Sequence, residues 1–241
     1  MIEVIKGKTT QENYRLPGKA IIFDSSTLIN LTMNGLLDVF RRLKKIFPGR
    51  FLITRDVKFE TVDRPINNKE FELGALKVSK LIEEKVLELP ESIGISSNEL
   101  KIKTLQLLKT VNKVFSARGR FLHIIDEGEA SCLALSKVLT EKGIENIIAI
   151  DERTTRMLAE KPENLQKLFD KKFHANIKMF QNNLPEMQDI KIIRSSELAY
   201  VAWKNNLVEL GNGRALDALL YATKFKGSAI SREEIEEIKR L

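Results

Sequence analysis

The sequence predicts an α/β protein: a three-layer α/β/α arrangement around a mainly parallel central sheet, with a helical insertion and a C-terminal extension. Two short runs carry most of this expectation. "AIIFD" (20–24) and "NIIAID" (146–151) are rich in β-branched and aromatic residues and apolar throughout, as strands buried on both faces are. Each is followed by a segment with helical spacing. Strand and helix signals alternate along much of the chain, which is the pattern of a parallel sheet with crossover helices.

The elements follow in order. Residues 1–18 are polar, with Pro17-Gly18 at their end, and read as a lead-in or edge strand. After the strand over 20–24, apolar residues at helical spacing run from 26 to 47, and Asn34-Gly35 divides them into two helices. "RFLIT" (50–54) is a second strand, and a helix starting near Asp56 carries Glu60 and ends at Pro65. Residues 68–91 read as a charged amphipathic helix and a short strand, "KVLELP", and 97–118 as one further helix. The chain turns at 118–120. "FLHII" (121–125) is a strand or lead-in to the helix "DEGEASCLALSKVLTEKG", which Gly143 closes. "RTTRMLAE" is helical and Pro162 ends it. "IKII" (190–193) is a strand. Three helices complete the chain: "SSELAYVAWKNN" with a serine cap, "NGRALDALLYATKFKG" closed by Gly227, and "SREEIEEIKRL" with a Ser231–Glu234 capping box.

Bulk composition bounds the function. The 241 residues are 43% hydrophobic and 30% charged, enough for a buried core and unlike a disordered chain. The net charge of +7 favours an anionic partner, nucleic acid above all, although basic residues recur along the whole chain and no patch can be located. The lone Cys132 excludes an internal disulfide, and with only His123 and His174 beside it a zinc site of nitrogen and sulfur ligands lacks its donors. No apolar run approaches 18 residues and the N-terminus lacks a signal-peptide core, so a cytoplasmic protein without a membrane partner is expected.

Two strands end in an acid, at Asp24 and Asp151. In a parallel α/β sheet ligands bind beyond the carboxyl ends of the strands. A lone buried carboxylate there costs several kcal/mol, roughly, and neighbouring acids repel one another. A divalent cation relieves both problems, and an all-oxygen donor set suits Mg2+ or Mn2+. Glu60 lies one turn past the second strand. Asp126, Glu127 and Glu129 open a helix, where acids also serve as ordinary caps. Glu152 follows Asp151 directly.

"IIFDSSTLINL", "LITRDVKFETV", "IIDEGEASCLALS" and "IIAIDERTTRMLAE" together resemble the PIN-domain nucleases, in the archaeal and bacterial branch that includes VapC-type toxins. The resemblance covers roughly 19–62 and 121–165. It implies a PIN-like domain over 1–174, with the helical insertion at about 66–118, and a mostly helical extension over 175–241. It further implies a metal-dependent nuclease, most readily a ribonuclease, with Asp24, Glu60, Glu129 and Asp151 as catalytic acids. Of these, Asp24, Glu129 and Asp151 would hold Mg2+ or Mn2+, Ser26 would be the hydroxyl beside the metal, and Asp126, Glu152 and Thr154 would assist. RNA is the implied partner, a homodimer is an implied assembly, and the extension offers a place for a protein partner.

Lys58, Arg64, Arg153 and Arg156 flank the acids in sequence and could grip a nucleic-acid backbone. Arg214 could do the same, or pair with Asp217 three residues on. Two other functions compete. A phosphatase with Asp24 as nucleophile needs a second acid two residues on, where this chain has Ser26. A non-catalytic PIN scaffold in an RNA-processing or ribosome-maturation assembly would keep the fold without the chemistry.

Overall fold

The computed structural model describes residues 18–184, 187, 189–210 and 214–241. The expected lead-in over 1–18 lies, Gly18 apart, outside the described residues, as does the start of the helix read over 212–227.

β1 (Lys19–Phe23) runs into α1 (Ser25–Met33), and α2 (Leu37–Ile46) follows after a break at Asn34 and Gly35. β2 (Arg50–Leu52) leads to α3 (Arg55–Lys58), which continues as a π-helical turn over Phe59–Asp63. After α4 (Glu72–Glu83) and α5 (Ser97–Val111) comes a hairpin of β3 (Phe115–Ala117) and β4 (Arg120–Phe121). Next are α6 (Glu127–Glu141), β5 (Glu145–Ala149), α7 (Arg153–Glu160), α8 (Pro162–Phe173), β6 (Lys178–Met179) and β7 (Ile192–Ile193). α9 (Ser195–Lys204), α10 (Ala215–Phe225) and α11 (Arg232–Ile238) close the chain.

The main sheet has the order β2-β1-β5-β7 and is parallel throughout. With its helices it is an α/β fold, consistent with three α/β/α layers. β1 is central, and Ile22 and Phe23 have no exposed surface, so successive residues are buried on opposite faces of the sheet. Phe23 meets Phe40 of α2 and Phe51 of β2 edge-on, with ring centroids 4.8 and 4.9 Å away. Each such pair contributes about 0.5–1.5 kcal/mol beyond area burial. Because all four strands point one way, Asp24, Ile53-Thr54, Ile150-Asp151 and Arg194-Ser195 leave the sheet at the same edge. The ladder extends one step past the strands there: Asp24 N donates to Ala149 O and Ile150 N to Ile193 O, both at 2.9 Å. The strand order reverses direction at β1, so the crevice between β1 and β5 is the switch point where such sheets bind ligands.

Several expected elements differ. The helix read over 97–118 stops at Val111, because Asn112 turns the chain: its side chain bonds Ile124 N, Ile125 N and Ile125 O. Val114 and Phe115 then extend and are fully buried in the core. "KVLELP" makes a single parallel bridge, Glu88 to Leu52. Pro162 does not only end a helix; it opens α8 at the first helical position, where a missing N–H is harmless. Arg194, not a serine, caps α9, with its backbone N–H held by Glu197 at 2.7 Å. The Ser231–Glu234 capping box is present.

The segment after residue 175 joins the body at the same sheet edge. β7 pairs with β5, Leu198 and Ala202 enter the main core, and Leu216, Leu220, Ile230, Ile235 and Ile238 form a small second core. Among the described residues no helix is long and apolar enough to cross a membrane.

Candidate active site

Asp24 is the N-cap of α1 and is 2% exposed. Its Oδ2 accepts hydrogen bonds from Ser26 N at 3.0 Å and Ser26 Oγ at 2.6 Å. Its Oδ1 is buried with no hydrogen-bond partner among the described residues. Burial, opposed by the Ser26 bonds and reinforced by the Glu60 carboxylate, pushes the Asp24 carboxyl up to about 6.

Glu129 lies in the first turn of α6 and is nearly enclosed. Its Oε2 accepts from Asp126 N at 3.0 Å, and its Oε1 accepts from Thr155 Oγ1 at 2.8 Å. Burial is again the largest effect, and with the negative charges of Asp24 and Glu152 it pushes this carboxyl up to about 8. Glu60 arrives from the π-helical turn and rests on α6 at Gly128, where a Cβ would lie 2.6 Å from Glu60 Oε1. Asp24, Glu60 and Glu129 thus form one group, and Glu152 stands at its border as the N-cap of α7, accepting from Thr155 N at 2.8 Å. The buried Cys132 thiol, one turn along α6, is pushed up by burial and then by Asp24, Glu60, Glu129 and Asp56. The largest charge effects on Asp24 and Glu129 come from other carboxylates.

Asp151 ends the strand beside Asp24 and is held by a different set of donors. It is 1% exposed, and both oxygens are engaged: Oδ1 by Ser195 N at 2.8 Å, Oδ2 by Asn30 Nδ2 at 2.9 Å. Burial raises its carboxyl, while the Ser195, Ser228 and Asn30 bonds lower it. Its link to Asp24 is Ser26, whose Oγ donates to Asp24 Oδ2 and accepts from Asp151 N at 3.1 Å. Asp151 therefore ties β5 to α1 and α9.

The supporting residues divide likewise. Asp126 points outward and pairs with His123 Nε2 at 2.6 Å, both side chains exposed. Thr155, rather than Thr154, is the threonine that reaches Glu129. Lys58 is paired with Asp63 at 2.6 Å, and Arg156 with Glu234 and Ala229 O. Arg64, Arg153 and Arg214 are exposed. Asp217, expected beside Arg214, pairs with Lys239 at 2.7 Å.

The donor set fits a hard divalent cation in part. Asp24 Oδ1 is an anionic oxygen with no other partner, the neighbouring carboxylates of Glu60 and Glu129 add charge, and no base offsets them among the dominant influences. As placed, no three His, Cys, Asp or Glu side chains among the described residues close into metal-holding geometry. The sequence signals missed Thr155, Asn30 and Gly128. Only "GEA" hinted at Gly128, because a glycine in the first turn of a helix weakens it and needs a packing reason.

No protein-family model, no curated protein and no solved structure matches this chain.

Proposed function

We propose that the chain is a PIN-like, metal-dependent nuclease that hydrolyses phosphodiester bonds, with RNA as its substrate. The observation that carries this reading is Asp24: a buried carboxylate at the switch point of a parallel sheet, one oxygen without a partner, beside two further acids. Fully apolar packing would place no such group there, since a buried carboxylate without compensation is strongly unfavourable. The preference for RNA rests on the sequence resemblance.

In this reading Asp24, Glu129 and Glu60 would hold Mg2+ or Mn2+. When bound, such an ion activates water and balances charge on the phosphoryl oxygens. The chain's own residues do the rest. Ser26 fixes Asp24 Oδ2 and leaves Oδ1 without a hydrogen-bond partner among the described residues. Thr155 and the Asp126 amide hold both Glu129 oxygens in place. Without the ion, burial holds the Glu129 carboxyl near 8 and largely protonated at neutral pH, so binding the ion would release that proton. Asp151 is a positioning residue, setting β5 and the Ser26 bond. Loss of hydrolysis in Asp24→Asn with the fold retained is the test; full activity in that variant rules the site out.

The second reading, a non-catalytic RNA-binding scaffold, draws support from Asp151, whose two oxygens are committed to structure. Stabilisation by metal without cleavage of any nucleic acid would favour it.

A further inference from the structure

Six of the chain's 40 basic residues lie in two segments that the fold joins in one small sheet and its flanks. β4, β3 and β6 form a small antiparallel sheet in that order, away from the main sheet in connectivity. It unites two segments distant in sequence. Residues 113–125 contain Lys113, Arg118 and Arg120, residues 171–184 contain Lys171, Lys172 and Lys178, and neither segment contains an acid. All six residues are exposed. Asp170, just before the second segment, is turned to its own loop, accepting from Ile177 N at 2.8 Å.

The same sheet exposes aromatic rings. Phe121 is 52% and Phe180 40% exposed, and their centroids are 5.5 Å apart. They border a cavity of about 600 Å3 that Arg118, His174, Asn176 and Lys178 also line. The two-residue turn that presents Arg118 is a β-hairpin with positive φ at both central residues, 49° at Arg118 and 80° at Gly119, as tight hairpin turns require. The non-glycine Arg118 accepts that conformation and lines the cavity.

Exposed rings flanked by cations, with no acid among them, suit a ligand that is both anionic and flat-faced. Single-stranded nucleic acid is that ligand: phosphates meet the cations and splayed bases stack on the rings, whereas a duplex hides its base faces. An acidic polypeptide would use the charge without needing the aromatic pair, and a lipid surface would bury protruding rings rather than rings that line a cavity. We propose that the β4-β3-β6 sheet is a binding site for single-stranded nucleic acid, with Phe121 and Phe180 as stacking platforms and Arg118 and Lys178 as phosphate contacts. The site is separate from the carboxylate group. Five residues of chain carry Phe121 to Asp126 at the start of α6, at most about 18 Å. A strand anchored on the sheet would thus lie near the start of α6, the helix that carries Glu129, a connection that rests on the nuclease reading.

Binding is measured apart from cleavage, by fluorescence anisotropy in EDTA. The probes are labelled 20-mers of oligo(U), oligo(dT) and a mixed duplex, over 50–200 mM salt, with anionic phosphatidylserine vesicles and poly-glutamate as competitors. The expected results are tighter binding of either single strand than of duplex and about tenfold weaker single-strand binding in Phe121→Ala and in Phe180→Ala. In Arg118→Ala/Lys178→Ala the log–log salt slope should fall by about 1.4. Equal affinity of wild type and all variants overturns the proposal. So does an unchanged preference in the phenylalanine variants, or displacement of the oligonucleotides by vesicles or poly-glutamate at equal charge. Unaltered melting temperatures establish that the exposed substitutions leave the fold intact. Wild-type binding in EDTA, weakened in the sheet variants, without cleavage in Mn2+ would leave this site standing and remove the nuclease reading; Mn2+-dependent cleavage with equal binding by wild type and every sheet variant would do the reverse.

Discussion

Glu60 lies against Gly128: an added Cβ at that glycine would stand 2.6 Å from Glu60 Oε1 and 2.8 Å from Oε2. The missing side chain is what allows the π-helical turn to bring a carboxylate onto the first turn of α6, beside Glu129. π-helical turns inserted after α-helices are frequent at functional sites, and this one carries Glu60.

Gly128→Ala separates stability from function. Alanine improves helix propensity by about 1 kcal/mol, and the group it meets is the end of a flexible side chain that can swing away. The expected outcome is an unfolding midpoint equal to or above wild type, with metal affinity and hydrolysis reduced about tenfold or more. Urea denaturation and metal titration on the same preparation check it; a variant with undisturbed metal affinity would show that Glu60 is not part of the site.

Asp24→Asn and Asp151→Asn should behave in opposite ways. Asparagine at 24 removes a buried charge while keeping the oxygen that accepts from Ser26, so the metal-free protein should be as stable as wild type or more so. At 151 both oxygens accept from amide donors, so an asparagine sets an NH2 against Ser195 N or Asn30 Nδ2. The expected loss is about 2–3 kcal/mol, the effect of a buried donor left without an acceptor. Equilibrium unfolding of both variants decides it.

Stability of the metal-free protein should fall as pH rises. Asp24 and Glu129 have folded-state pKa values of about 6 and about 8, above ordinary carboxyls at 3.8 and 4.5. A raised folded pKa means that the contribution is complete below the unfolded pKa and is lost as pH climbs through the folded one. The window is therefore about pH 4 to 8, and the Asp24 share is on the order of 3 kcal/mol. Denaturation midpoints across that range should decline in wild type. The decline below about pH 6 should be smaller in Asp24→Asn; a flat wild-type profile would contradict the burial of these acids as ionisable groups.

Addition of Mn2+ or Mg2+ at pH 7 should raise the melting temperature of wild type and release a proton, because Glu129 near 8 is largely protonated without metal. At a hundredfold excess over Kd the stabilisation amounts to about 2.7 kcal/mol. Calorimetry in two buffers of different ionisation enthalpy reads the proton. No thermal shift in wild type, or an equal one in Asp24→Asn, would go against the site.

Much of this architecture is legible in the sequence where one strong local signal acts alone. "AIIFD" and "NIIAID" announce central strands, Asn34-Gly35 a helix break, and Ser231 with Glu234 a cap. The α-helix read through residue 118 failed because Phe115 fits a helix face as well as a buried strand. What decided it was Asn112, whose side chain bonds the backbone of Ile124 and Ile125. No periodicity contains that contact. The acids were legible as chain positions at strand ends and helix starts, but their grouping was not. Asp151 follows a strand just as Asp24 does, and only the placement of Ser195 and Asn30 turns its carboxylate into structural use. The basic sheet was invisible for the same reason: its two halves, 113–125 and 171–184, meet only through the pairing of β3 with β6.

The most direct test of the central claim is cleavage of a panel of labelled RNAs and DNAs in Mn2+ by wild type, by folded Asp24→Asn, and by wild type in EDTA. The account predicts RNA cleavage by wild type alone. Cleavage that persists in Asp24→Asn at the wild-type rate would contradict it.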